Sequence, residues 1–157
     1  MPNIKTNAMR ILDKQKIAYK DYIFTTDSST TGVDIATILG ENPAQVFKTL
    51  VTTGKTGTHY VFMVPVAEEL DLKKAALAVN EKNIEMLKQK DLLPLTGYVH
   101  GGCSPIGMKK QFKTVAHLTA ENFPTIFFSA GAIGHQVELP LKELAKIIPL
   151  ITADIIA

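Results

Sequence analysis

Arginine and cysteine are nearly missing from this 157-residue chain: Arg10 and Cys103 are the only ones, and tryptophan is absent. A single cysteine excludes a disulfide framework and a thiolate metal site. A single arginine leaves bidentate clamping of phosphates or bases almost unavailable, so any anion must be met by lysine point charges. The net charge of +2 is too small for a general nucleic-acid binder. No apolar run is long enough to span a membrane, and no secretory leader opens the chain, which leads us to expect a soluble, reducing, cytoplasmic setting. Phosphate-loop, dinucleotide and nucleophile-elbow patterns are all lacking. His59, His100, His117 and His135 have no metal-ligand spacing; the first and third fall in or beside strands, where surface positions are the default, while His100 and His135 could each line a site.

What is present is a core. Hydrophobic residues make up 46% of the chain and charged residues 20%, so the sequence describes one folded domain over residues 1–157. Asn3 can cap a first helix with Ile4, Ala8, Ile11 and Leu12 on one face. Lys20–Phe24 reads as a strand, Thr25–Thr31 as a hydroxyl-rich loop, and Val33–Leu39 as a helix stopped by Gly40. Asn42-Pro43-Ala44 starts a helical turn that leads into a β-branched strand, Val46–Thr52. Gly54–Gly57 turns it into a second strand, Thr58–Val66. Leu70-Asp71-Leu72 opens a helix through Val79, with lysines outward and alanines and leucines inward. Ile84–Met86 reads as a strand and Lys88–Leu92 as a helical turn. Thr114–His117, Thr125–Ser129 and His135–Leu139 are further strands, the last two joined as a hairpin through Gly131 and Gly134. Pro140 opens a final helix through Ile147, and the tail Ile147–Ile151 is apolar but short and broken by Pro149. Strands outnumber long helices and several pair as hairpins, which predicts an α+β fold around a largely antiparallel, barrel-like sheet.

Two stretches carry candidate chemistry. Gly101-Gly102-Cys103-Ser104-Pro105-Ile106-Gly107 places three glycines around a Ser-Pro pair. Ser104 reads as a helix cap with Pro105 at the first helical position. Bare N–H groups beside a helix start would seat a phosphate or an oxyanion, whereas the plain alternative is a tight connection. Lys48 lies in an apolar strand, where it marks either the solvated face of an edge strand or a cleft. Cys103 would need a base or a helix N-terminus to become a nucleophile, and the commoner role is that of a small buried hydrophobe.

Taken together, Val46-Phe47-Lys48-Thr49-Leu50, Val64-Pro65-Val66, Leu70-Asp71-Leu72-Lys73, Gly97 to Gly107, and Ser129-Ala130-Gly131 with Gly134 resemble the YbaK family of aminoacyl-tRNA deacylases, which is related to the editing insertion domain of bacterial prolyl-tRNA synthetases. The resemblance runs from about Asn3 to Ile147, and the glycine-rich stretch is its most specific part. It implies an α+β fold with a mixed, mainly antiparallel barrel-like sheet and surrounding helices, and a trans-editing hydrolase that deacylates mischarged tRNA, most typically cysteine on the proline tRNA, with alanine preferred by some relatives. It brings no cofactor and no metal. Lys48 and Gly101 are the implied catalytic positions. Tyr22, Thr49, Gly102, Ser104, Ser129, Gly131 and Gln136 are the implied substrate contacts, with Ser129 to Gly131 forming the far wall. Cys103 stands where many relatives have an aliphatic residue, and His135-Gln136 where many have Leu-Asp or a similar pair. The loop from Thr25 to Ser29 lacks a His-Asp pair frequent in relatives.

The aminoacyl ester is already activated, so the substrate's own thiol, or water, can be the attacking group. Glycine-loop N–H groups would hold the oxyanion, and Lys48 the terminal phosphate or ribose. The weak net charge implies that a partner, prolyl-tRNA synthetase, helps select the tRNA. A non-catalytic module holding aminoacyl-tRNA or a synthetase, and a hydrolase of other small activated esters, are the rival readings.

Overall fold

Local chemistry sets where each element begins. The computed structural model describes residues 5–27 and 29–157; the expected cap at Asn3 and the apolar Ile4 lie outside them. In the described chain α1 (Asn7–Lys14) is capped by Thr6, whose hydroxyl accepts from Met9 N. After β1 (Lys20–Ile23), α2 (Gly32–Leu39) opens on a reciprocal pair: the Thr31 hydroxyl accepts from Asp34 N, and the Asp34 carboxylate accepts from Thr31 N. Gly40, left-handed at φ +68°, ends that helix, and Asn42 caps a 3-10 turn at Pro43–Gln45. β2 (Phe47–Gly54) and β3 (His59–Pro65) form the expected antiparallel hairpin. Asp71 caps α3 (Leu72–Val79) with two accepted backbone bonds, and β4 (Ile84–Met86) and α4 (Gln89–Thr96) follow. The remaining elements are β5 (Thr114–His117), β6 (Ile126–Ser129), β7 (His135–Leu139), a short α5 (Leu141–Leu144) and β8 (Leu150–Ala153).

The strands form two sheets, ordered β1-β7-β6 and β4-β2-β3-β5-β8. The first is antiparallel throughout; in the second, β3-β5 and β5-β8 run parallel. The two sheets meet at a parallel bridge between Val46 and Phe127 and do not close into a continuous barrel. They share one core, in which Phe47, Met63 and Ala116 of the larger sheet pack with Ile126, Phe128, Val137 and Leu139 of the smaller, sealed by Met9 and Leu12 of α1 and Leu144 of α5. The other face of the larger sheet is covered by Ala75, Ala76 and Val79 of α3, packed on Tyr60, Phe62 and Val64.

Four expectations are corrected. No helix follows Ser104: residues 101–113 form an irregular, largely buried segment, and the Ser104 hydroxyl accepts from Ile106 N within its own turn. On α3, Leu77 points outward and is 82% exposed, because Ala75, Ala76 and Val79 take the buried stripe. The final helix expected through Ile147 ends at Leu144, and the apolar tail beyond it supplies β8, Leu150–Ala153, beside β5. His117 is buried rather than on the surface; its Nδ1 lies 3.3 Å from Ile155 N, and burial lowers its pKa.

Candidate active site

The register of β2 creates the site. Gly54 N donates to Thr58 O at 2.7 Å and Val66 N to Val46 O at 2.9 Å, so even-numbered residues of β2 are the ones bonded to β3. The odd-numbered residues turn their backbone groups to the opposite edge. There Leu87 N takes the Val51 carbonyl at 3.0 Å, and the Val46–Phe127 bridge occupies the other end. Thr49 falls in the gap between these two contacts, with its N–H and C=O facing out of the ladder. Its Oγ1 is buried and has no hydrogen-bond partner.

That gap opens onto a cavity of about 420 Å³, in the size range of small-ligand sites. Apolar walls come from Phe24, Ile35, Leu50, Val66, Leu92 and Phe128. Lys48, Thr49, Gly101, Ser129 and Gln136 line it together, so five residues implied by resemblance, drawn from four separate stretches, converge on one hollow. His100 and His135 line it too. Gln136 is 3% exposed with its Oε1 unpartnered, and His135 Nδ1 is likewise buried without a partner. Buried polar atoms are normally hydrogen-bonded, so this convergence is the chemical signature of a ligand site. A larger hollow of about 560 Å³ beside α5 and β8 includes none of these residues and none of the unpartnered atoms.

β2 is an inner strand, between β4 and β3, but β4 covers only Thr52–Gly54, so at Lys48, which pairs with Val64 of β3, the far edge is open onto the cavity. The Lys48 side chain is 30% exposed and sits 3.9 Å from Glu69, whose own side chain is 86% exposed. A charge this loosely held remains free for an anionic ligand.

The small sheet supplies the opposite wall. Tyr22, Gln136 and Ser129 are directly paired across β1, β7 and β6, which puts their side chains in one row on one face. Tyr22 is not free at the cavity: it donates to Glu138 Oε1 at 2.6 Å, and that bond, with burial, pushes its pKa up to about 12. Ser129 Oγ accepts from Gly131 N at 3.1 Å, so Gly131 holds Ser129 in place rather than lining the hollow.

The glycine segment divides similarly. Gly101 lines the cavity in a left-handed conformation, φ +87°. Gly102 is pressed against the β6–β7 hairpin, where a Cβ would lie 3.0 Å from Ile133 N, and its own N–H donates to Val99 O. Ser104 is fully buried. Neither Gly102 nor Ser104 borders the cavity. Cys103 does, but burial pushes its thiol up to about 12, which leaves it protonated and a poor nucleophile.

The Thr31–Gly32 start of α2, which the sequence presents only as the end of a polar loop, also lines the cavity. Behind Gln136 stands Glu41, beyond the C-terminus of α2, with both carboxylate oxygens buried and lacking a well-formed hydrogen bond. Burial is the main cause of its pKa rising to about 7; Glu138 raises it further, and the nearby Gln136 amide partly offsets both.

The fold and this site define a class. The profile of the aminoacyl-tRNA editing domain matches residues 26–147, and the chain belongs to that family. Among relatives, it is 46% identical over 144 residues to EbsC of Enterococcus faecalis, a candidate Cys-tRNA(Pro)/Cys-tRNA(Cys) deacylase, covering 91% of this chain and 88% of that one. The fold matches a solved candidate trans-editing enzyme for prolyl-tRNA synthetase with a TM-score of 0.82 at 22% identity, over 99% of each chain. A solved hypothetical protein matches with a TM-score of 0.85 at 18% identity, over 94% of this chain and 97% of that one.

Proposed function

We propose that this protein is a trans-editing deacylase that removes cysteine from mischarged proline tRNA. The observation that carries the reading is the cavity on the open edge of β2, an apolar-walled hollow lined by the cation of Lys48 and by Thr49 and Gln136, each with a buried, unpartnered side-chain oxygen. Lys48 anchors the terminal nucleotide's phosphate or ribose. The Thr49 N–H, turned out of the ladder, and the close backbone approach at Gly101 stabilise the oxyanion that forms on the ester carbonyl. The substrate's thiol attacks that carbonyl: a carbon–sulfur bond forms, the bond to the ribose oxygen breaks, and the thiol proton ends on the ribose hydroxyl. Water replaces the thiol for substrates without one. Because the nucleophile comes with the substrate, the protonated Cys103 has no chemical role.

Residues 1–157 act as one domain in the cytoplasm, with prolyl-tRNA synthetase supplying the tRNA selection that a net charge of +2 does not. The test is incubation with a panel of mischarged tRNAs, following loss of each amino acid. Cysteinyl-tRNA for proline should be cleared fastest. Faster loss of alanine than cysteine would move the specificity. Charged tRNA held but left intact would make this a binding module, and equal turnover of free aminoacyl esters a small-molecule hydrolase.

A further inference from the structure

The gap in β2 runs from Val46 to Val51, and the chain at its two ends carries opposite charge. At the Val51 end, Leu87 N takes the Val51 carbonyl and α4 begins two residues later. Leu92 of α4 lines the cavity, as do His100, Gly101 and Cys103 in the chain that leaves it. Lys109 belongs to the same rim: its N–H donates to Thr96 O at 3.0 Å, and its Nζ to Pro94 O at 3.3 Å. Residues 88–113 hold Lys88, Lys90, Lys109, Lys110 and Lys113 against the single acid Asp91, so the rest of the chain carries more acids than bases. The overall charge of +2 therefore conceals a basic strip. Glu85 of β4 pairs with Thr53, beyond Val51 and away from the gap.

At the Val46 end, Val66 N donates to Val46 O, and α2 starts against Val66, where a Cβ on Gly32 would lie 2.7 Å from Val66 Cγ1. Thr31, Gly32 and Val66 line the cavity. The charged residues within three positions of them are Asp34, Glu68 and Glu69, all exposed and all acidic.

Placement within α4 is a second observation. Lys88 is its N-cap and makes no side-chain cap bond, and Lys90 lies in its first turn. A helix start favours Ser, Thr, Asp or Asn at the cap and acids behind it, because cations there oppose the helix dipole. Lys88, Lys90, Lys109 and Lys110 are exposed, and none is in an ion pair among the described residues. Four unneutralised cations beside a cavity, two of them set against helix preference, suit an external polyanion.

We propose that the acceptor end of the charged tRNA enters the cavity over α4, its backbone phosphates against Lys88, Lys90, Lys109 and Lys110, and avoids the acidic Val46 end. Lysine point charges hold phosphates without reading bases, so the strip fixes the direction of approach and leaves the choice of tRNA to other contacts. The inference rests on the aminoacyl-ester reading for its ligand.

The test compares Lys88→Glu/Lys90→Glu with Lys55→Glu/Lys142→Glu, an equal charge change on exposed lysines outside the strip. Acids at the start of α4 suit the helix dipole, so the first variant keeps its fold. Its binding of uncharged proline tRNA should weaken about tenfold or more at about 0.1 M salt, and the slope of log Kd against log salt should fall by about two. The control pair should bind like wild type. Deacylation of cysteinyl-adenosine should be equal in all three proteins, whereas turnover of subsaturating cysteinyl-tRNA should fall with binding. Wild type that does not bind tRNA, unchanged binding by the strip variant, an equal loss in the control pair, or a matching loss on cysteinyl-adenosine overturns the proposal. If wild type cleaves neither ester while tRNA binding still follows the strip, the ester reading fails and the docking surface stands.

Discussion

Replacing Glu41 by glutamine should make the protein more stable at pH 8 and leave it unchanged near pH 4.5. The carboxyl titrates at about 7 in the folded protein and near 4.5 when exposed, so between those values the folded state binds the extra proton. Stability therefore falls as pH rises through that window, and the penalty is complete above about pH 7. A displacement of this size corresponds to about 3 kcal/mol at full burial. Glu41 is only partly buried as a residue, and solvent screening reduces the expected gain to about 1–2 kcal/mol. For a chain of this length that is a rise of about 3–6 °C in Tm. The assay is calorimetric or urea-induced unfolding of both proteins at pH 4.5 and 8, taken as the difference between them so that other titrating groups cancel. A difference that is the same at both pH values, or a variant less stable at pH 8, would refute the reasoning.

Lys48→Ala should slow single-turnover deacylation by about a hundredfold, as expected for a lost charge-assisted contact, while its stability changes by less than about 0.5 kcal/mol, because its ion pair with Glu69 is long and exposed. Lys48→Arg should rescue poorly, and raising salt should weaken substrate binding by wild type more than by the alanine variant. Gly101→Ala should still fold, since a Cβ there meets nothing nearer than Ile133 at 3.8 Å, but the left-handed φ of +87° adds about 1–2 kcal/mol of strain, and turnover should fall about tenfold; an unchanged rate would make the segment only a turn. Cys103→Val should keep most of the activity, and a covalent thioester trapped on Cys103 would overturn the reading of that thiol as inert.

The parts legible in the sequence are those whose causes lie within a few residues. β-branched runs with glycine turns between them specify the β2–β3 and β6–β7 hairpins, Asp71 caps α3 from the adjacent position, and Gly40 ends α2 because only glycine takes its left-handed φ without cost. The resemblance, carried by the same short stretches, named Lys48, Thr49, Gly101, Ser129 and Gln136, which line one cavity. Ser104-Pro105 has the local signature of a helix start and yet forms none, because the tertiary fold buries that segment and turns the Ser104 hydroxyl onto Ile106 N. β8 is invisible locally, since Leu150–Ala153 becomes a strand only by pairing with β5, more than thirty residues away. The free edge at Thr49 is likewise a property of register: it exists because β4 and β6 each cover one end of β2 and leave the middle open. Glu41 reads in the sequence as an ordinary acidic residue after a helix. Only the packing of α2 against the small sheet removes it from water and sets it beside Gln136, and desolvation is a property of the whole fold that no local pattern records.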